Sequence, residues 1–455
     1  MESKLPIYVK LCYGAGSLGK VVQGLAGSTF LLYFYTEILG VRPGLAGSII
    51  FFGKLFDIIN DPLIGTAVDK TRSKTGMCRI YLKYCAVPTG ICLALCFISP
   101  NFSMTGKVVW IALTYGIMTT ASSFIQIPMN TLMGRLSQDK QQRVHLNQFS
   151  GIVSLLANFF IVSWTLPAAA FFGSGDMQKG FGAVGIIYGI IYALAYLVVF
   201  WGTKGYETQE AEKQALPEKA SAGLSDIPGS LLQNKIWICI GLYYLLDMTA
   251  TTLESTAMIY YFQYNLNDTD LLGTYSAVAM LCNGLIFLFL HLFTEHLGNG
   301  GTTILGCILS MSGDLFRFLM HDATFAVILT GWVLSALGSC MVAGTVLLNL
   351  FDAKTYGEWK TGIKSEAILM SGFTLATKVG MAIGSAMMGW VLALVPYNEG
   401  METQPQSVLD LFFFMNTLMP AVVFFAVLLL SIPVCQTEKK LPQMRREIEK
   451  RQQKN

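Results

Sequence analysis

Apolar segments long enough to cross a membrane recur along almost the whole sequence. A spanning helix needs roughly 20 mostly apolar residues, and we place about twelve such segments. Hydrophobic residues make up 53% of the chain and charged residues 13%, whereas an ordinary soluble domain has about 25% charged residues. The sequence therefore predicts an all-α integral membrane protein. The predicted spans are residues 11–38, 43–66, 80–99, 108–132, 148–171, 182–201, 235–262, 271–294, 301–320, 324–349, 366–395 and 408–434.

Basic residues gather in alternate connections between these spans. If the N-terminus is cytoplasmic, the connections on the opposite side hold only Arg42, Lys107 and Lys179. That distribution follows the positive-inside rule, so we expect both termini in the cytoplasm. The basic tail, residues 435–455, is interpreted as an anchor of this topology rather than a nucleic-acid site. The N-terminus lacks the short apolar core and cleavage site of a removable signal peptide.

A polar stretch with little apolar periodicity covers residues 202–234. It lies between two sets of six predicted spans, in residues 1–201 and 235–434. We interpret it as a cytoplasmic linker between two helical halves of the protein.

Two carboxylates interrupt the second predicted span. Asp57 and Asp61 are four residues apart, and on a helix this spacing puts both side chains on one face. Ionisable groups inside a membrane are costly and mark functional sites. The pair therefore indicates a cation site. The structural alternative is that Asp57 pairs with Lys54 and that Asp61 ends the helix before Pro62.

Other polar residues fall inside the predicted spans. Lys20 stands on a glycine-rich face of the first span, with Gln23 one turn on, and both could line a polar cavity. A lysine that snorkels to the membrane surface is the alternative for Lys20. Asn147 could line the same cavity, although buried amides also join helices.

The seventh and ninth predicted spans also carry charges. Asp247 and Glu254 are seven residues apart, and Thr251 lies between them on the same face. They could face the solute or Lys20, or they could belong to an ion pair that holds helices together. Asp314 and Arg317, three residues apart, are expected to pair with each other.

A set of motifs is spread along nearly the whole chain. The motifs are YGAGSLGK, FYTEILG, DIINDPLIG followed by TRSKTG, FIQIPMNTL at 124–132, IYYF at 259–262 and YGEWKTGIKSEA at 356–367. Together they resemble the glycoside-pentoside-hexuronide:cation symporter family of the major facilitator superfamily. The resemblance implies the major facilitator fold, with about 12 transmembrane helices in two six-helix halves, and a bacterial inner membrane.

The resemblance implies that Asp57, Asp61 and Ser123 bind the coupling cation. Carboxylate and hydroxyl oxygens suit Na⁺ or Li⁺, and a buried carboxylate can instead take up H⁺. Lys378 stands where the family has a lysine near this site, and a fixed positive charge there would compensate the aspartates when the cation is absent. Lys54 is expected to act in the same way.

The expected solute site departs from the family pattern. The family's galactoside transporters carry aspartates at the positions of Val21 and Gln126, and a tryptophan at that of Asn130. A carboxylate accepts hydrogen bonds from two sugar hydroxyls, which valine cannot do and glutamine does more weakly. We therefore expect a pocket in the same place for a different solute. With Lys20, Lys54 and Lys378 retained, that solute could be an anionic sugar.

Two charged cytoplasmic segments match regions that the family uses for gating. In the loop after the second span, acids and bases can form ion pairs that break when the protein changes state, and a glycine allows close helix packing. The segment after the tenth span is expected to have the same role. The predicted gating residues in these two segments are Gly65, Asp69, Arg72, Asp352, Glu358 and Lys360, and Arg143 is predicted to join them from the connection after the fourth span.

The residues and the resemblance together predict cation-coupled symport of a sugar, glycoside or hexuronide by alternating access. One alternative is a symporter of a non-sugar or amphipathic solute, because a fold does not fix a function. Another is a membrane sensor that binds solute without moving it. No catalytic motif suggests an enzyme. We expect no cofactor beyond the coupling ion, and a monomer whose partners are the solute and the bilayer.

Overall fold

The structure is a computed structural model that describes residues 5–73, 75–137, 140–207, 234–320, 323–361, 366–398, 401 and 403–452. The regular elements in these ranges are helices, as the apolar periodicity predicts. Each of the twelve predicted spans falls on one of them.

We number the helices in chain order. In α1, the segment Ile7–Leu25 continues through π-helical turns at Ala26–Phe30 and Phe34–Ile38. The others are α2 (Pro43–Lys70), α3 (Arg79–Cys96), α4 (Met104–Leu136), α5 (Lys140–Gly173), α6 (Met177–Gly202), α7 (Lys235–Tyr260), α8 and α9 (both within Leu271–Leu319), α10 (Phe325–Thr361), α11 (Glu366–Leu392), α12 (Gln406–Asn416 and Leu418–Glu438) and α13 (Leu441–Gln452).

Nine helices in the described residues are long and apolar enough to cross a membrane. One of them, Leu271–Leu319, contains two predicted spans, because the chain bends at Gly298 with a φ of +76°. Glycine adopts this left-handed conformation without a steric penalty. α1 and α2 are not among the nine, and in α2 the polar residues of the candidate cation site lower the hydropathy.

α2 does not end at Pro62. The helix runs from Pro43 to Lys70 with Pro62 inside it, so the alternative in which Asp61 ends the helix is wrong. Proline lacks a backbone N–H and usually breaks a helix in water. Within a membrane, helices tolerate proline because neighbouring groups satisfy the freed backbone carbonyl.

The described chain divides into two compact units. The first contains α1 to α6 together with Phe262–Ser276 and Ser385–Val408. Close glycine contacts hold its helices together: a Cβ atom on Gly90 of α3 would lie 3.2 Å from the carbonyl carbon of Gly189 on α6. Small residues of this kind let helix backbones approach closely.

The second unit contains α7, the C-terminal part of α8, α9, α10, the first part of α11, and α12 from Leu409 onward, with α13. Its core is apolar, with Tyr243 of α7 packed among aliphatic side chains of α10 and α12. A Cβ atom on Gly380 of α11 would lie 2.6 Å from the carbonyl oxygen of Leu245, so α11 packs directly on the backbone of α7.

Both units use a glutamate to cap a helix N-terminus. Glu207, after α6, accepts hydrogen bonds from the backbone N–H groups of Cys78 (2.8 Å) and Arg79 (3.3 Å) at the start of α3. Glu438, at the end of α12, accepts from Asn299 (2.6 Å) and the next residue (2.8 Å) at the start of α9. The repetition, six helices apart, is what two related halves would produce. The predicted boundary stays a prediction, and its linker residues 208–233 lie outside the described residues.

We expect Glu438→Ala to lower the free energy of unfolding by about 1 kcal/mol, because a lost cap leaves helix N–H groups unsatisfied and removes a negative charge from the positive end of the helix dipole. Thermal unfolding of the purified protein in detergent measures the change. Glu295→Ala is the matched control, because Glu295 is an exposed acid shortly before the same bend. Equal melting temperatures for the two variants would contradict the capping role.

Candidate functional site: an acid pair and an adjoining amide pair

Asp57 and Asp61 come together around one hydroxyl group. Both carboxylates are half-buried, one turn apart on α2. Ser123 of α4 is 3% exposed. Its Oγ lies 2.5 Å from Asp57 Oδ1 and 2.9 Å from Asp61 Oδ1. The structure thus brings together the three residues predicted to bind the coupling cation.

Two carboxylates around one hydroxyl group form a site that favours a positively charged ligand. A serine hydroxyl has a single hydrogen, so Ser123 can donate to only one of the two carboxylates at a time. The other close oxygen contact, and the repulsion between two carboxylates, are relieved by a proton on one carboxyl group or by a bound cation. Hard cations prefer such oxygen ligands. The three side chains can therefore hold a monovalent cation or a proton.

The two predicted charge-compensating lysines occupy different units. Lys54, one turn before Asp57, is half-buried, and its Nζ donates to Ser385 Oγ of α11 at 3.0 Å. Lys378 lies half-buried on the part of α11 that belongs to the second unit. The compensating role of both lysines stays a prediction.

An amide pair, Gln23 and Gln126, lies beside the acid pair, Asp57 and Asp61, in the first unit. Gln126 Nε2 of α4 donates to Gln23 Oε1 of α1 at 2.5 Å. Gln23 Nε2 donates in turn to Ser122 Oγ at 3.1 Å. Since Ser122 and Ser123 are consecutive, α4 contacts the amide pair with one serine and the acid pair with the next.

The remaining predicted solute residues of the first unit are more open. The side chains of Lys20, Asn130 and Asn147 are exposed, and Val21 is half-buried. They lie on α1, α4 and α5. The half-buried amide network joins Gln23, Gln126 and Ser122, whereas Lys20, Asn130 and Asn147 are exposed.

In the second unit, the predicted residues Asp247, Thr251 and Glu254 have separate environments. Asp247 is 1% exposed. The hydroxyl of Thr251 donates to the Asp247 backbone carbonyl at 2.9 Å. Glu254 pairs with Arg317 at 3.2 Å, which is the ion-pair alternative. Arg317 also pairs with Asp314, as the spacing predicts.

The predicted gating residues are described in part. Nε of Arg143 donates to the Ser137 carbonyl at 2.8 Å, and Asp352 Oδ2 accepts from Asn299 Nδ2 at 2.9 Å. Arg72 and Lys360 are exposed, and Glu358 is half-buried. The side chain of Asp69 lies outside the described residues.

Gly65 does not make the close helix contact that we expected. A Cβ atom at this position would meet no other described residue within 4 Å. The surrounding helix surface is open here, so the predicted packing role is not seen in this structure.

Two serines of the site were missed in the sequence. Ser122 bonds to Gln23, and Ser385 bonds to Lys54. A single serine in an apolar helix has no periodic signature, because serine is common in membrane helices and often bonds its own backbone. Only the contacts with neighbouring helices distinguish these serines from the others.

Comparisons with known proteins define the class. The profile of the MFS/sugar transport protein family matches residues 12–433. An isoprimeverose transporter of Lactiplantibacillus pentosus is 27% identical over 93% of this chain and 87% of its own length. A putative glycoside/cation symporter of Escherichia coli, YagG, is 25% identical over 93% of this chain and 90% of its own.

The fold has solved relatives. A partially occluded inward-open structure of the xylose transporter XylE from E. coli covers 92% of this chain and 97% of its own, with a TM-score of 0.62 and 14% sequence identity. The protein is thus a multi-pass membrane transporter with the major facilitator fold. More particularly, it belongs to the MFS/sugar transport protein family and is of the glycoside-pentoside-hexuronide:cation symporter type. Its partners are a small-molecule solute and the membrane.

Proposed function

We propose that this chain is a secondary active symporter that carries a sugar, glycoside or hexuronide together with Na⁺, Li⁺ or H⁺. The observation that carries the proposal is the Ser123 hydroxyl within hydrogen-bond distance of both Asp57 and Asp61. The proposed cation would bind between the two carboxylates and balance part of their negative charge. Lys54 and Lys378 would compensate that charge when the cation leaves.

The solute is proposed to bind next to the Gln23 and Gln126 amides. Amides donate and accept hydrogen bonds, as sugar hydroxyls require, and they carry no charge that would repel a uronate. The exposed Lys20 could pair with a carboxylate of such a solute. The sugar-type relatives support this solute class.

Consecutive serines provide a physical route for coupling. Ser123 contacts the acids of α2, and Ser122 contacts Gln23 of α1. A cation that holds Ser123 in place also sets the rotation of α4 about its axis and its position along that axis. Because Ser122 and Gln126 lie on the same helix, their positions are set with it. Each ligand then improves the affinity for the other, and this reciprocity is the thermodynamic requirement for symport.

We also propose the cellular arrangement. The distribution of basic residues supports cytoplasmic termini, and the family supports a bacterial inner membrane. Solute would cross by alternating access as a monomer, with the charged segments around Arg72 and Glu358 acting in gating.

The proposal predicts a ligand-dependent thermal shift. Purified protein in detergent is unfolded with sugars, glycosides and uronates, each with and without Na⁺ at two pH values. A ligand that binds only the folded state adds about 2.7 kcal/mol at roughly 100 times its Kd. We expect one class of sugar to stabilise the wild type, more strongly with Na⁺ or acid.

Asp57→Asn is the matched variant for this experiment. It should keep a weak sugar response and lose the enhancement by the cation. A cation response without any sugar response would contradict the proposed solute class. A sugar response independent of both Na⁺ and pH would contradict the proposed coupling.

A further inference from the structure

The second unit buries an acid that the proposed transport cycle does not use. Asp247 of α7 is 1% exposed. Neither of its carboxylate oxygens has a hydrogen-bond partner among the described residues. An ionised carboxylate in such a place loses its hydration without any compensating contact, which is strongly unfavourable.

The buried Arg317 of the second unit already pairs with two other acids. Arg317 of α9 pairs with Glu254 at 3.2 Å and also with Asp314. Its guanidinium carbon lies 5.2 Å from the centre of the Trp332 ring. The Arg317 guanidinium thus already pairs with two acids, and Asp247, a third acid, has no hydrogen bond with it in the described part of the chain.

Among the described residues, the groups that face Asp247 from α7, α9, α10 and α12 are neutral. Tyr243 and Tyr244 face it from its own helix, and Cys307 faces it from α9. α10 approaches with Asn349, whose Nδ2 donates to the Tyr243 hydroxyl at 3.2 Å. α12 contributes apolar side chains to the same core, including Val427.

α11 is the remaining neighbour, and it carries Lys378. It packs on the Leu245 backbone at Gly380, two residues from that lysine. No hydrogen bond joins Lys378 to Asp247 in the described part of the chain. A neutral carboxylic acid therefore fits this environment better than a carboxylate.

We propose that Asp247 is a proton-binding site of the second unit, separate from the acid pair of the first unit, Asp57 and Asp61. The bound species is H⁺ itself: one carboxylate oxygen takes the proton from water when the site is hydrated, and the carboxyl group returns it to water when the site opens again. The inference does not depend on which solute is carried.

The test uses infrared spectroscopy of the purified protein in lipid at neutral pH. We expect the wild type to show a carboxylic acid C=O band and Asp247→Asn to lose the part of its intensity that belongs to Asp247. Asp176→Asn is the matched control, because Asp176 is an acid outside the spans whose pKa is held below its usual range by the backbone N–H of Lys179. It should leave the band unchanged. Full wild-type band intensity in Asp247→Asn overturns the proposal.

Thermal unfolding across a pH series gives a second readout. If folded Asp247 holds a proton that the unfolded chain releases, wild-type stability falls as pH rises. Asp247→Asn removes this dependence, so its melting temperature should rise relative to the wild type as pH increases. A difference that does not grow with pH contradicts the proposal.

Neutral replacements should also fold, because the proposed native state is itself neutral here. Asp247→Asn and Asp247→Leu are therefore compared by size-exclusion chromatography. Loss of folded protein in both, while Asp176→Asn remains folded, would mean that the carboxylate charge is required and would overturn the proposal. Neither readout uses a sugar or the Asp57 site, so this inference and the proposed function can fail independently.

Discussion

Asp57→Asn is expected to abolish cation-driven accumulation of solute while the protein still inserts and folds. Asparagine keeps the size of the side chain and one oxygen that can accept from Ser123. It removes the negative charge that balances the cation. A hydrogen bond or contact with a charged group contributes about 1.5–3 kcal/mol, so cation affinity should fall by roughly 10- to 100-fold or more.

Two transport assays separate this defect from general damage. Reconstituted protein is tested for uptake against a concentration gradient, driven by Na⁺ or a proton gradient, and for exchange of solute across the membrane without a gradient. We expect Asp57→Asn to lose the first and to keep a measurable part of the second. Asp176→Asn, outside the predicted spans, should keep both. Full accumulation in Asp57→Asn would exclude the proposed cation site.

The acid pair was visible in the sequence because its signal is local. Two acids four residues apart in an apolar span must share a helix face, whatever the rest of the protein does. Ser123 came only from the family resemblance, and Ser122 was missed. Their roles depend on which face of α4 meets α1 and α2, and residue spacing within α4 carries no such information.

Asp247 and Glu254 also show that spacing within one helix does not predict contacts with neighbouring helices. Their spacing predicts one helix face, yet Glu254 has an ion partner and Asp247 has no described hydrogen-bond partner. The difference comes from α9, which brings Arg317 to one end of that face and Cys307 to the other. Long-range packing decides such outcomes, so the sequence correctly left both interpretations open.

Backbone geometry also departs from the simple reading of helix breakers. Pro62 was a reasonable place to end α2, but the helix continues to Lys70. Gly298 lies between two predicted spans, and there the helical chain bends without a long loop. In water, a proline inside a helix costs about 3 kcal/mol or more. In a membrane the alternative is an unsatisfied backbone, so helices persist through such residues.

Arg317→Met is expected to cause the largest loss of stability, about 3–5 kcal/mol. The side chain is 1% exposed, and it pairs with Asp314 and Glu254. Methionine fills much of the same volume but takes the guanidinium away from the buried Asp314 and the half-buried Glu254. Chemical unfolding of the detergent-solubilised protein measures the change. Arg446→Met is the control, because Arg446 is exposed on α13 and its replacement should change stability by no more than about 0.5 kcal/mol.

A rescue variant tests the reason for that loss. Replacing all three charges, as Arg317→Met with Glu254→Gln and Asp314→Asn, removes the unpaired acids together with the arginine. A buried ion network replaced by neutral groups of similar volume is often as stable as the original, so most of the lost stability should return. If the triple variant is no more stable than Arg317→Met, the loss comes from packing, including the contact with Trp332, and not from unpaired charge. A single variant as stable as the wild type would mean that the two acids do not need the guanidinium, which contradicts the ion network.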